Sequence, residues 1–187
     1  MIAVLKILLA LAVVASAQTA VLAYMVIDRV TLLKTGREIV LPIVPVDPRD
    51  LFRGEYVRLG FEISRLPRSL LDGPPPQKQS EKFYVTLEKK EDGTWKAAKV
   101  TREAPGDPGS DRIVLQARSQ NTWWSGAWIF PRYGIESYFV PQGQGPKLEA
   151  MARNQKLAAL VAVDKVGKAA IKGLIIDGKL QYEEPLF

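Results

Sequence analysis

The 187-residue sequence predicts a mainly β chain of the α+β kind: an antiparallel β-sandwich or partly open barrel with one short helix, preceded by an N-terminal transmembrane helix. Three observations predict it. Residues 2–27 are nearly all Ala, Val, Leu and Ile, interrupted by Lys6, Ser16, Gln18 and Thr19. Beyond them, short alternating or β-branched runs recur between Gly, Pro and Asp turn signals, the pattern of an antiparallel sheet. Past the apolar segment, only residues 146–155 carry a helical pattern. The length suits one ordinary domain plus an appendage. The expected division is a membrane anchor or signal peptide at 1–28, a juxtamembrane linker at 29–38 and a β-rich extracytoplasmic domain at 39–187.

At 1.5 Å per residue the apolar segment is long enough to cross a hydrocarbon core of roughly 30 Å. Two readings compete. A cleaved signal would use Lys6 as its basic region, Ile7 to Val14 as its apolar region and Ala15-Ser16-Ala17 as its cleavage site. The apolar character continues through Val21, Leu22, Tyr24, Met25 and Val26 to Asp28-Arg29, which a cleaved signal does not require. That favours an uncleaved anchor over Ala3 to Ile27. Lys6 argues for an inward N-terminus, while Arg29, Lys34 and Arg37 pull against it. Signal-like N-terminal segments carry the domain behind them across the membrane. The expectation is therefore a single-pass protein of the inner (cytoplasmic) membrane with its domain outside the cytoplasm.

The chain contains neither Cys nor His. Disulfides, thiolate nucleophiles and Cys- or His-ligated metals are excluded, as is the commonest general base. No cofactor or metal is expected. The net charge of +6 is interleaved with acids, as in KFYVTLEKKEDGTWKAAK, which reads as a solvated face and not as a nucleic-acid patch.

The elements can be taken in chain order. Residues 28–38 extend the helix until Gly36 stops it. Ile39 to Val46 is β-branched but carries Pro42 and Pro45, with Pro48 beyond, so it reads as an edge strand or an extended segment. Glu55 to Ser64 alternates, with Val57, Leu59, Phe61 and Ile63 on one face, and predicts one strand. Leu66 to Ser80, with Pro74 to Pro76, reads as an exposed loop. Phe83–Lys89 and Thr94–Thr101 form a hairpin around Glu91-Asp92-Gly93. Ile113 to Arg118 is a further strand. Pro146 suits the first position of the helix, and Leu148, Met151 and Ala152 share one side of it. Leu157–Val163, Ala169–Ile176 and Leu180–Tyr182 are strands joined by turns at Asp164–Gly167 and Asp177-Gly178.

Residues 54–61 read Gly54-Glu55-Tyr56-Val57-Arg58-Leu59-Gly60-Phe61, and Asp47-Pro48-Arg49-Asp50 precedes them. This stretch resembles the signature of the GDYXXLXY family, bacterial proteins with an N-terminal membrane segment, an Asp-Pro-Arg-Asp lead-in, the motif and a small β-rich domain. Glu55 stands in place of Asp and Phe61 in place of Tyr. A role needing the short reach of Asp, or a hydroxyl at position 61, therefore does not transfer. The resemblance implies a membrane-anchored layout and a multi-pass membrane protein as partner, but no particular activity. Read from the residues alone, Gly54 permits a turn, and Glu55 or Asp50 can accept hydrogen bonds from N–H groups at the strand start. Arg49 and Arg53 present planar forks for Asp47 or Asp50. The preferred reading is a staple holding the proline-rich segment on the domain, with Tyr56, Leu59 and Phe61 completing the motif. A ligand site at the same residues is the alternative. A Ser-Lys peptidase fits poorly, because residues 39–50 contain no Ser.

A second constellation is NTWWSGAWIFPRYGIESYFVP at 121–141. Its Trp123, Trp124, Trp128, Tyr133 and Tyr138 read first as core and second as a partner, membrane-interface or glycan surface. Arg132, Tyr133, Glu136 and Tyr138 are candidates for a polar network beside it. Two functions stay open. One is a non-enzymatic accessory or scaffolding subunit of an envelope complex. The other is an envelope polysaccharide-binding module, or a weak hydrolase using Asp50, Glu55 and Glu136, whose retaining pair would need carboxyls roughly 5–5.5 Å apart.

Overall fold

The computed structural model describes residues 2–45, 56–74, 78, 80–91, 93–106, 108–120, 124–140, 145–181 and 183. It opens with α1, Ile2–Thr35, an unbroken helix of 34 residues. With no Gly or Pro inside it, nothing interrupts the ladder, and it spans about 51 Å. One window within Lys6–Thr35 is long and apolar enough to cross a membrane, and none of that window is buried by the rest of the chain. The helix ends at Gly36, whose N–H donates to the Leu32 carbonyl at 2.9 Å. The stop comes where the sequence places it, but the reason is space. A Cβ on Gly36 would lie 2.6 Å from the Leu32 oxygen and 3.0 Å from the Val163 nitrogen.

Thirteen strands and one more helix follow among the described residues. They are β1 (Arg37–Val44), β2 (Tyr56–Arg58), β3 (Gly60–Phe61), β4 (Leu66–Pro67), β5 (Lys82–Lys89), β6 (Trp95–Thr101), β7 (Arg112–Arg118), β8 (Trp124–Ser125), β9 (Trp128–Ile129) and β10 (Ser137–Phe139). After these come α2 (Gly145–Arg153), β11 (Leu157–Val163), β12 (Ala169–Ile176) and β13 (Lys179–Gln181). All strand pairs are antiparallel. One sheet runs β13-β12-β11-β1-β3 and another β6-β5-β7, with the small ladders β4-β9-β8 and β10-β2 beside them. Ile39, Leu41, Val161 and Leu174 of the first sheet share one core with Phe83, Val85, Leu87 and Leu115 of the second. The arrangement is sandwich-like, without a closed barrel. The two sheets also meet at the Asp164–Lys168 turn, where Gln116 N–H donates to the Gly167 carbonyl at 2.7 Å. Gly167 sits at φ +86°, and a Cβ there would meet the Gln116 nitrogen at 2.9 Å, so only glycine fits this contact.

Three readings of the sequence need correction. β1 is not simply an edge strand. It pairs with β11 along Arg37–Pro42 and with β3 at Ile43 and Val44, so it lies between two partners. The expected strand over 55–64 is broken: β2 and β3 flank Leu59, and Glu62–Ser64 is a 3₁₀ turn. Alternation survives the break, because Leu59, Phe61 and Ile63 are all buried. Residues 66–80 are not wholly an exposed loop. Leu66 is buried and Leu71 bridges Val100.

The end of α1 docks on the outer face of the large sheet. Leu32 and Leu33 are buried against Ala162 and Ala170, which are cross-strand partners on β11 and β12. Two small residues side by side give the helix its close approach. Lys168 reaches Asp28 at 3.1 Å and Lys172 reaches Glu38 at 2.8 Å. The hydrogen bond to Asp28 raises the Lys168 pKa above its ordinary 10.5. Its contribution is therefore fully present below that ordinary value and lost as pH rises through the raised one.

A methyl group at Gly36 should separate helix from sheet. Gly36→Ala is expected to lower the apparent melting temperature, with a loss of about 1–3 kcal/mol. Gly106→Ala, where nothing lies within 4 Å of the added Cβ, should leave it unchanged. Equal melting of the two variants would refute the close approach.

Candidate functional site

The segment Arg132-Tyr133-Gly134-Ile135-Glu136 folds back on itself. The Glu136 carboxylate accepts from the N–H of Tyr133 and, at 2.9 Å, from the N–H of Gly134. Arg132 Nε lies 3.9 Å from Glu136 Oε2, and its backbone exchanges two hydrogen bonds with Arg118 at the end of β7. Tyr133 turns inward and is buried, and its hydroxyl donates to the Ile63 carbonyl at 2.8 Å. Burial, and secondarily the Glu136 charge, push the phenol pKa well above its ordinary 10.0. The Glu136 carbonyl accepts the Leu59 N–H at 2.9 Å. This bond continues the β2–β10 register by one residue, after which Gly60 and Phe61 pair with β1 instead.

Of the four candidates for a polar network, Arg132, Tyr133 and Glu136 meet, and Tyr138 is buried in β10, opposite Val57. β10 carries the motif strand: Ser137 pairs with Arg58 and Phe139 with Tyr56. Leu59 and Phe61 point into the core. Asp47, Arg49, Asp50, Arg53, Gly54 and Glu55, the members of the expected staple, lie outside the described residues, as does Trp123.

Of the tryptophans at 121–141, Trp124 contributes its backbone to β8, opposite Ile129. Trp128 is 38 % exposed, and the Arg65 guanidinium lies 4.2 Å over its ring, a cation–π contact. Trp95, outside both motifs, is buried with Arg37 5.3 Å above it. The same Arg37 donates to the carbonyls of Gly109 at 3.1 Å, Arg112 at 2.7 Å and Ser110. Arg65 with Trp128, and Arg37 with Trp95, pair across long stretches of sequence, so no local signal announces them. Asp28 was findable as the first acid after the apolar run.

Two hollows lie beside α1. An open groove of ≈ 1080 Å³ at its end is lined by Thr35, Arg37, Tyr84, Pro105, Ile113 and Val166, among others. A smaller one of ≈ 400 Å³ is lined by Arg29, Gly134, Ile135, Ser137, Tyr138, Phe139 and Ile171. Among the described residues, no cluster of three or more acidic, His or Cys side chains is placed to hold a metal ion.

The motif strand, its partner β10 and the helix end therefore form one neighbourhood, and the family comparison covers all of it. A family model described as GDYXXLXY protein matches residues 18–174. The chain belongs to the GDYXXLXY family. The match begins inside α1 and ends within β12, so it takes in the docked part of the helix together with the motif. Neither the comparison with curated proteins nor the one with solved structures gives a match. Two signature positions, Leu59 and Phe61, serve packing. Phe61, where the signature has Tyr, is 2 % exposed in an apolar core, so a ring without a hydroxyl suits the site.

Tyr133→Phe is expected to cost about 1 kcal/mol by leaving the Ile63 carbonyl unpaired. Glu136→Ala should cost about 1–3 kcal/mol, and Glu136→Gln less, because it keeps one acceptor oxygen. Denaturant unfolding checks both. The raised phenol pKa fixes a sign as well. Stability should fall as pH rises above 10.0, where the unfolded chain ionises this phenol and the folded chain does not. Tyr133→Phe should remove part of that fall.

Proposed function

We propose that this protein is a single-pass, membrane-anchored accessory or scaffolding subunit of a bacterial envelope complex. In this reading its β domain lies outside the cytoplasm, and it turns over no substrate. The observation that carries the reading is the continuity of α1. An apolar helix, uncovered along its length, passes without a break into a segment clamped on the domain by Leu32, Leu33 and the Asp28–Lys168 pair. Such a joint holds the domain at one height and one angle above the bilayer, which suits presentation to a neighbouring membrane protein. An enzyme acting on a diffusing polymer gains less from it. Trp128, held by Arg65 and partly exposed, supplies the kind of aromatic that dominates interfaces. The competing hydrolase reading loses one of its three carboxylates as a free group, because Glu136 caps its own turn.

Crosslinking in native membranes, followed by purification, tests the proposal. The expected result is a single integral membrane partner. Its recovery should drop about tenfold in Trp128→Ala, in line with an interface hot spot, while the melting temperature holds. The intact chain should carry residues 1–17 by mass. A mature N-terminus at Gln18 sinks the anchor. Degradation of an envelope polymer by the purified domain, abolished by Glu55→Gln, sinks the non-enzymatic reading.

A further inference from the structure

We infer that the surface around Phe139 is a second membrane contact, seated among anionic phospholipid headgroups beside the point where α1 leaves the bilayer. The inference rests on the anchor reading above and adds a lipid-facing site on the β domain itself. Depth comes first. Ile27 closes the apolar run, and Arg29 stands two residues on, about 3 Å further along the helix axis. The headgroup layer on each side of a bilayer is roughly 5–7 Å thick. Arg29 therefore lies within it, and Arg29 lines the same hollow as Phe139. A domain fixed to the helix by Leu32, Leu33 and Asp28 cannot lift Phe139 away without breaking those contacts.

Exposure and charge agree with that depth. Phe139 is 76 % exposed, more than Tyr24 on the bare helix at 70 %. Aromatic side chains at the water–lipid boundary bury their rings at headgroup level. Around it, Arg58 stands opposite Ser137 on the exposed face of the β2–β10 ladder, and Arg29 lines the same hollow. Among the described residues, Asp28 is paired with Lys168, and Glu136 is engaged by its own turn. Basic side chains held at headgroup depth favour an anionic lipid.

The chain has no cysteine, so Phe139→Cys gives a single labelling site. The full-length protein, carrying a small apolar fluorophore there, would be reconstituted in phosphatidylcholine vesicles with and without phosphatidylglycerol. Quenching by lipids bearing a nitroxide near the headgroup reports depth. Tyr24→Cys serves as the inserted reference and Leu180→Cys, on β13, as the distant one. The expected result is strong quenching at 24, shallow-lipid quenching at 139 and none at 180. Phosphatidylglycerol should increase the signal at 139, and Arg58→Gln should cut that increase about twofold or more, because each basic residue adds attraction to the anionic surface. Quenching at 139 no greater than at 180, with 24 quenched, overturns the inference and spares the anchor. Quenching at 139 that ignores phosphatidylglycerol overturns the headgroup preference. No quenching at 24 overturns the anchor reading itself.

Discussion

The packing of the last two turns of α1 on the outer face of the large sheet is the constraint on which the remaining structure depends. It needs small residues at three places. Ala162 and Ala170 let Leu32 and Leu33 come close, and Gly36 leaves room for the backbone of Val163. Because the helix ends flush against β11, the chain passes at once into β1, which pairs with the same strand from Arg37 onward. The Arg37 side chain then crosses to the other sheet, where it lies over Trp95 and binds the carbonyls of Gly109 and Arg112. One short junction thus sets helix against sheet and the first sheet against the second.

The family motif occupies the other side of that junction. Its strand trades partners at Leu59, from β10 to β1, and the trade is stabilised by the Glu136 carbonyl. Tyr133 adds a second tie through the Ile63 carbonyl. The Arg132–Glu136 turn works as a local clamp. Its carboxylate organises two N–H groups of its own turn, and its backbone and buried phenol hold the chain at 59 and 63. A buried phenol that keeps its proton is a stiffer tie than a solvated one, since no competing water loosens it. Packing alone accounts for the residue types at 59 and 61, with no substrate needed to explain them.

Much of the architecture was legible because it rests on local patterns. The apolar run, the Gly93 and Gly178 hairpins and the one-sided helix at 145–153 are each set by neighbours in sequence. Burial at Leu59, Phe61 and Ile63 came from period two even where the strand itself broke. The break was not legible, because it is a change of partner from β10 to β1, both distant in sequence. The same holds for β1, whose prolines suggested an edge but whose second partner, β3, is supplied by the motif. In the candidate site, Arg132, Tyr133 and Glu136 were found as a group because they share a turn. Arg65 over Trp128 depends on a fold-level meeting that no spacing encodes.

The pairing of β1 with β11 has a consequence for the order in which the protein is made. Ile39 lies opposite Val161, and the landing place of Leu32 and Leu33 is built from Ala162 and Ala170. Synthesis from the N-terminus produces the helix long before its landing place exists. The three-stranded sheet of β6, β5 and β7, with β5 at its centre, closes through nearby contacts and is free to form while the chain is still emerging. Throughout that interval the end of the helix is bare. The β domain reaches its fixed posture only when the final strands arrive, so assembly closes like a clasp, with the first element waiting for the last.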